Sequence, residues 1–229
     1  MSSLSETGMM VIATAQLPLE TETPLVTFAE FIENYDETAS LQSELIQGVV
    51  VEMMPTGPHE EIISFLRTQL VLELCRLQRQ FVLPTTYFVR SPLAHSSYRP
   101  DILLLDKPAL KQEPDWQKSA VIRYGRSTQL AIEVVSTNWR HDYLTKLADY
   151  ESLAIPEYWI VDYLGLGGSR YIGRPKRPTI SVYQLIDDEY QVQQFRENEK
   201  IQSRAFPELQ LTAAEIFAAG ETDDSAEPN

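Results

Sequence analysis

One carboxylate constrains this chain more than any other residue. Glu133 stands alone in the run Leu130-Ala131-Ile132-Glu133-Val134-Val135, whose otherwise unbroken apolar character predicts a strand buried on both faces. Burying an unpartnered carboxylate costs several kcal/mol, so the fold must supply a pairing cation or a metal. The neighbouring segments offer both. A polar turn, Ser136-Thr137-Asn138, leads to a predicted helix over about His141 to Ser152 that carries Lys146, and Pro156 to Asp162 reads as a further strand. Upstream, Asp101 is the single carboxylate at the start of the apolar run Ile102-Leu103-Leu104-Leu105. Two carboxylates on neighbouring buried strands, with a lysine on the following helix, form a layout suited to holding a divalent cation beside a phosphate.

These residues carry a family resemblance. Taken together, Pro100-Asp101, Glu133-Val134-Val135-Ser136, Lys146 with Tyr150, and Pro156-Glu157-Tyr158-Trp159 with Asp162 resemble the Uma-type restriction-endonuclease-like family. That family is a branch of the PD-(D/E)xK nuclease superfamily, abundant in cyanobacteria, and the likeness covers roughly Thr27 to Phe217. It implies an α/β fold, a restriction-endonuclease-like mixed β-sheet core flanked by helices with additional β-hairpins. It also implies a metal-dependent endonuclease using Mg²⁺ (or Mn²⁺). Asp101 and Glu133 would be ligands, with the backbone carbonyl of Val134 as a third donor. The family often has a glutamate before a Gly-containing hairpin, which makes Glu44 a further metal ligand or a support for the others. The superfamily's commonest pattern sets its lysine two residues after the glutamate, where this chain has Val135. The resemblance is to the branch in which a lysine from the next helix, here Lys146, reaches the same place. There it would orient or deprotonate the attacking water, or stabilise charge developing on the phosphate.

Each residue also has a plainer reading. Asp101 could simply begin a strand after Pro100, and Glu133 could pair with an Arg or Lys. Lys146 could be a solvated lysine paired with Asp142 or Asp149, and Glu44 a strand-edge surface charge. His59 opens a helix, where its N–H could meet a phosphate or serve only for capping and packing. His95 and His141 read as surface residues, and the histidines lack the i, i+4 spacing of a helical zinc pair. No phosphate-binding P-loop, dinucleotide Gly-box or nucleophilic elbow is present.

Charge argues against a broadly basic nucleic-acid surface. The net charge is −14, half of it from seven carboxylates in residues 1–24 and 221–229, which contain no Lys or Arg. A nucleic-acid site on such a chain must be a local basic patch, be a transient contact, or depend on bound metal to offset carboxylates. The segment Leu164 to Arg177 is the candidate: Arg170, Arg174, Lys176 and Arg177 give it four positive charges and no negative ones. This segment is longer than the resemblance implies after Asp162. A solvated insertion is its plainer reading.

The single cysteine, Cys75, excludes an internal disulfide and reads as a buried, inert thiol in an apolar helix. No apolar run approaches membrane-spanning length, and the first residues lack the basic region of a signal peptide, so the expected location is the cytoplasm. Residues 1–24 read as a mobile tail, 25–220 as one restriction-endonuclease-like domain, and 221–229 as an acidic disordered tail. Thr27-Phe28-Ala29-Glu30 and Thr212-Ala213-Ala214-Glu215 are capping boxes that start short helices. A hairpin turns at Gln47-Gly48, a long helix runs from Pro58 to about Gln80, and a second hairpin crosses Asp187-Asp188-Glu189. The central sheet is expected to combine strands near 84–91, 101–106, 129–136 and 156–162.

The function that follows is hydrolysis of nucleic-acid phosphodiester bonds, DNA being the expected partner, with no membrane contact. A homodimer suits nucleases that carry one site per chain and cut both strands. Two other readings remain: a binding or regulatory protein on a catalytically degenerate nuclease fold, and a metal-dependent hydrolase of small phosphorylated molecules.

Overall fold

The computed structural model describes residues 25–35, 41–93 and 95–221. In chain order the elements are α1 (Phe28–Glu33), β1 (Gln42–Ile46), β2 (Val49–Met53), α2 (Gly57–Leu77), β3 (Phe81–Val82), β4 (Phe88–Arg90), β5 (Ser97–Tyr98), β6 (Ile102–Asp106), α3 (Trp116–Ser119), β7 (Val121–Ile122), β8 (Thr128–Val134), α4 (Leu147–Ser152), β9 (Glu157–Asp162), α5 (Ser169–Ile172), β10 (Thr179–Ile186), β11 (Glu189–Phe195) and α6 (Ala213–Ala218). A π-helical turn, His141–Lys146, runs directly into α4. The expectations for residues 1–24 and 222–229 concern residues outside the described set.

The strands form two mixed sheets. Six lie in the order β11-β10-β9-β8-β6-β3 and five in the order β2-β1-β5-β4-β7. In the larger sheet β8 and β9 are parallel, joined by a crossover that contains the π turn and α4. The other neighbours are antiparallel. This corrects one assignment. The strand expected near 84–91 is only Phe88–Arg90, and it belongs to the smaller sheet, while β3 and the β10–β11 hairpin complete the larger one. Sheet membership is set by partners distant in sequence, which local apolar content does not encode.

Strand alternation sorts the core into two faces. Ile132, Val134, Trp159 and Val161 pack on one side with Ile62, Leu66 and Leu70 of α2 and Ile216 of α6. Leu103, Ala131, Tyr158 and Ile160 face the other way, onto Tyr143, Tyr150 and the smaller sheet's Val89 and Tyr98. Trp159 and Tyr158 are thus packing residues on opposite faces, as their alternation predicts. Glu133 shares the parity of Ala131 and so points into the tyrosine-lined side.

The local signals hold where chemistry is explicit. Both capping boxes form, with Thr27 accepting from the Glu30 N–H and Thr212 from the Glu215 N–H. Gln47 and Gly48 have φ of 50° and 82°, the paired left-handed conformations of a tight hairpin turn. The long helix stops at Leu77, earlier than expected, because Gln78 turns left-handed with φ 51°. Cys75 is exposed, contrary to the buried thiol expected. The inward stripe of α2 is Ile62, Ile63, Leu66 and Leu70, and Cys75 falls with the exposed Val71 and Leu72 on the outward side.

Candidate active site

The β6–β8 register builds the site. Ile102 pairs with Ile132 in antiparallel register, and continuing it by one residue sets Asp101 opposite Glu133. Asp101 Oδ2 accepts a hydrogen bond from the Val134 N–H at 2.7 Å, which fixes the carboxylate at the end of β8. The smaller sheet contributes Glu44 from β1, whose Oε1 accepts from the Arg99 N–H at 2.7 Å. The crossover brings in Lys146. Its Nζ lies 3.0 Å from Glu133 Oε1, 3.1 Å from Glu44 Oε1 and 3.4 Å from Asp142 Oδ1. Tyr150, one turn further on, donates its hydroxyl to Glu133 Oε1 at 3.2 Å.

This cluster is buried: Lys146 and Glu133 are each 3% exposed and Glu44 2%. The solvated reading of Lys146 and the surface reading of Glu44 are therefore corrected, because both side chains are drawn into one ion-pair network. Burial pushes the Glu133 carboxyl well above its ordinary range. The Lys146 charge offsets this only in part, while Asp101, Asp142 and Glu44 add to it. Burial likewise raises Asp142 to about 7 against the opposing pull of Lys146. For Lys146 burial favours the neutral amine, but Glu133, Glu44 and Asp142 outweigh it and raise the pKa well above that of a free lysine. The cluster therefore gathers more carboxyl groups than cations, and the raised ones hold their protons more tightly than free carboxyls do.

His59 arrives from the first turn of α2. Its Nε2 is 3.0 Å from the Val134 carbonyl oxygen and 3.5 Å from Asp101 Oδ2. Burial lowers its pKa, but Asp101, Glu60 and the Val134 carbonyl together outweigh it, leaving a net rise. Its Nδ1 is buried without a hydrogen-bond partner among the described residues. Glu44, His59, Asp101, Glu133, Asp142 and Lys146 all line one cleft of about 330 Å³. His141, expected at the surface, is half-buried and lines the same cleft, its pKa lowered by burial and by Lys146. His95 is exposed as expected.

The basic loop stands apart. Arg170, Arg174, Lys176 and Arg177 are all exposed, and none lines the cleft. Arg177 instead lies 3.6 Å from Glu197 and lines a separate, larger cavity of about 740 Å³. The loop is not featureless, since it contains α5 and is organised by Asp162. That buried carboxylate accepts from the Leu166 and Gly167 N–H groups at 2.8 and 2.7 Å. A Cβ on Gly167 would come within 2.9 Å of the same carboxylate, so the close approach requires glycine.

The donor set fits a hard divalent cation. Asp101, Glu133 and the Val134 carbonyl offer oxygen donors at one end of the sheet, and the charge of such an ion would favour the ionised form of the raised Glu133 carboxyl. Among the described residues, no three His, Cys, Asp or Glu side chains already converge on one metal position. Lys146 bridges Glu133 and Glu44, and Mg²⁺ characteristically takes only one or two carboxylates alongside waters and phosphate oxygens.

The profile of the Uma2 family, described as "Putative restriction endonuclease", matches residues 28–214. The chain belongs to the Uma2 family. No curated protein matches it. Among solved structures it is similar to one from Anabaena variabilis described as "a putative nuclease belonging to DUF820". That likeness has a TM-score of 0.64 at 19% identity, covering 86% of this chain and 99% of that one. The α/β architecture is thus a nuclease-like fold, as the motif resemblance implies.

Some contacts in and around the cleft lie beyond sequence reading. Asp142 was visible only as a helical neighbour of Lys146, yet it is a buried member of the cluster. Tyr98 of β5 donates its hydroxyl to Asp149 Oδ2 of α4 at 2.5 Å, a contact no local pattern announces. The π turn carries no composition signal. Such turns commonly occur at functional positions, and this one ends on Lys146.

Proposed function

We propose that this Uma2 protein hydrolyses phosphodiester bonds of nucleic acid, DNA foremost, in a reaction that depends on Mg²⁺ or Mn²⁺. The observation that supports it most is the convergence of Asp101, Glu133 and Lys146, from a strand start, a strand and the crossover between parallel strands, in one cleft. Family membership and the nuclease-like fold agree with it.

Asp101, Glu133 and the Val134 carbonyl would hold the cation, with Glu44 as a further candidate ligand. A divalent ion bound there supplies Lewis acidity toward the scissile phosphate and lowers the pKa of a bound water. Lys146 offers a fixed positive charge for the attacking water or for charge developing on phosphate. Glu44, Asp142 and the Tyr150–Glu133 hydrogen bond hold that ammonium and carboxylate in register. His59 stands beside Asp101, where an N–H can meet a phosphate oxygen.

A second reading, a binding protein on a degenerate nuclease fold, is favoured by one observation: the lysine already neutralises part of the carboxylate cluster. Cleavage separates the two. The purified chain, incubated with DNA or RNA and Mn²⁺, is expected to release shorter products, and chelation or Glu133→Ala is expected to stop it. Undiminished cleavage by Glu133→Ala would sink the proposal.

A further inference from the structure

The rim beside the cleft combines cations and aromatic rings in a way the cleft chemistry does not use. Asn138 lines the cleft, and the next residue, Trp139, begins the rim. The Arg140 guanidinium lies over the Trp139 ring at 4.8 Å and the Lys176 ammonium at 5.9 Å. Lys176 also donates to the carbonyl of Leu166, itself a cleft-lining residue, at 3.0 Å. Tyr171 carries the Arg170 guanidinium at 4.5 Å and stacks on Tyr143, with ring centroids 4.9 Å apart. Trp139 and Tyr171 meet edge to face at 6.4 Å, so the rings form one cluster. Among the described residues, Arg140, Arg170, Arg174 and Lys176 have no carboxylate within ion-pair distance, in a chain of net charge −14. Three of these cations, Arg140, Arg170 and Lys176, each lie over an aromatic ring of this rim.

We propose that this rim binds a single-stranded segment of nucleic acid and leads it into the cleft. An unstacked base would rest against the half-buried Trp139 ring, which the Tyr171 edge supports, and its phosphates would meet Arg140, Arg170 and Lys176. Duplex bases keep their faces stacked on one another, whereas a single strand can offer a face to an aromatic side chain and a phosphate to the adjoining cation. The overall acidity of the chain fits a short local contact better than a broad duplex-tracking surface. This inference rests on the nucleic-acid reading of the cleft and narrows it to strands with unpaired bases.

The test is binding without hydrolysis. The full chain carrying Glu133→Gln, in chelator, is titrated with labelled single-stranded DNA, single-stranded RNA and the matching DNA duplex, following anisotropy and tryptophan fluorescence. A single strand is expected to bind about tenfold tighter than the duplex and to quench fluorescence. The two single-stranded arms tell which sugar is preferred. Trp139→Leu is expected to weaken strand binding by about tenfold. Trp139→Phe, which preserves packing, is expected to keep most of the affinity and lose most of the quenching, because Trp159 is fully buried and Trp116, on α3, does not line the cleft. Arg140→Ala with Lys176→Ala is expected to weaken binding and flatten its salt dependence. Duplex binding as tight as strand binding, or quenching that survives Trp139→Phe, would overturn the inference. A chain that binds strand but never cleaves leaves the inference standing and removes the hydrolase reading. A chain that cleaves duplex and is indifferent to Trp139→Leu does the reverse.

Discussion

The cleft and the basic loop handle charge in opposite ways. In the cleft, three carboxyl groups lie 3.0 to 3.4 Å from the Lys146 ammonium, and all four groups are nearly inaccessible to water. In the loop, Arg170, Arg174 and Lys176 stand in solvent, Arg170 and Lys176 against rings and Lys176 also against a carbonyl. Buried charges constrain one another strongly, because removing one leaves the others uncompensated in a poor dielectric. Exposed charges barely affect the fold and act instead on what approaches from outside. The two regions should therefore respond to mutation in different observables.

The largest effect belongs to Lys146→Met. It strands Glu44, Glu133 and Asp142 without their cation and is expected to cost about 3–5 kcal/mol in urea unfolding at pH 7. Stability of that variant should recover as pH falls. Carboxyls whose folded pKa is raised bind more protons in the folded state than in the unfolded one, so acid favours folding through the window below about 7, the value reached by Asp142. A loss as large at pH 5 as at pH 7 would break the charge explanation and leave lost packing.

Metal binding should carry the same signature with the opposite sign. Because Glu133 and Asp142 are raised, a cation must displace protons as pH drops, so affinity is expected to climb with pH up to and somewhat above 7. Calorimetry in buffers of different ionisation enthalpy would read the protons released. An affinity flat between pH 5.5 and 8 would mean that these carboxyls do not meet the ion. The smallest effect is Arg174→Ala, expected to change stability by no more than about 0.5 kcal/mol in the same urea assay. A larger loss would show that the loop is structural rather than a solvated contact surface.

Much of this could be read in the sequence, for identifiable reasons. Glu133 announced itself because an isolated carboxylate in an apolar strand demands a partner. The capping boxes and the Gln47-Gly48 turn were legible because their chemistry is local. The cleft residues Glu44 and His59 were named from the resemblance and from a helix start, but their convergence on Asp101 and Lys146 depends on two sheets meeting, which no short-range pattern records. The division of strands between those sheets was missed for the same reason. Cys75 differs: an apolar neighbourhood along the chain predicts burial, while the helical phase turns the thiol outward.

The central claim is that the Asp101–Glu133 end of the sheet is a divalent-metal site. Mn²⁺ titration by calorimetry, wild type against Glu133→Gln at matched folding, tests it without any choice of substrate. The account predicts one site per chain in the wild type, and its loss in the variant. If the wild type binds no Mn²⁺, alone or with a short DNA duplex present to complete the coordination, or if Glu133→Gln binds it equally well, the account is wrong.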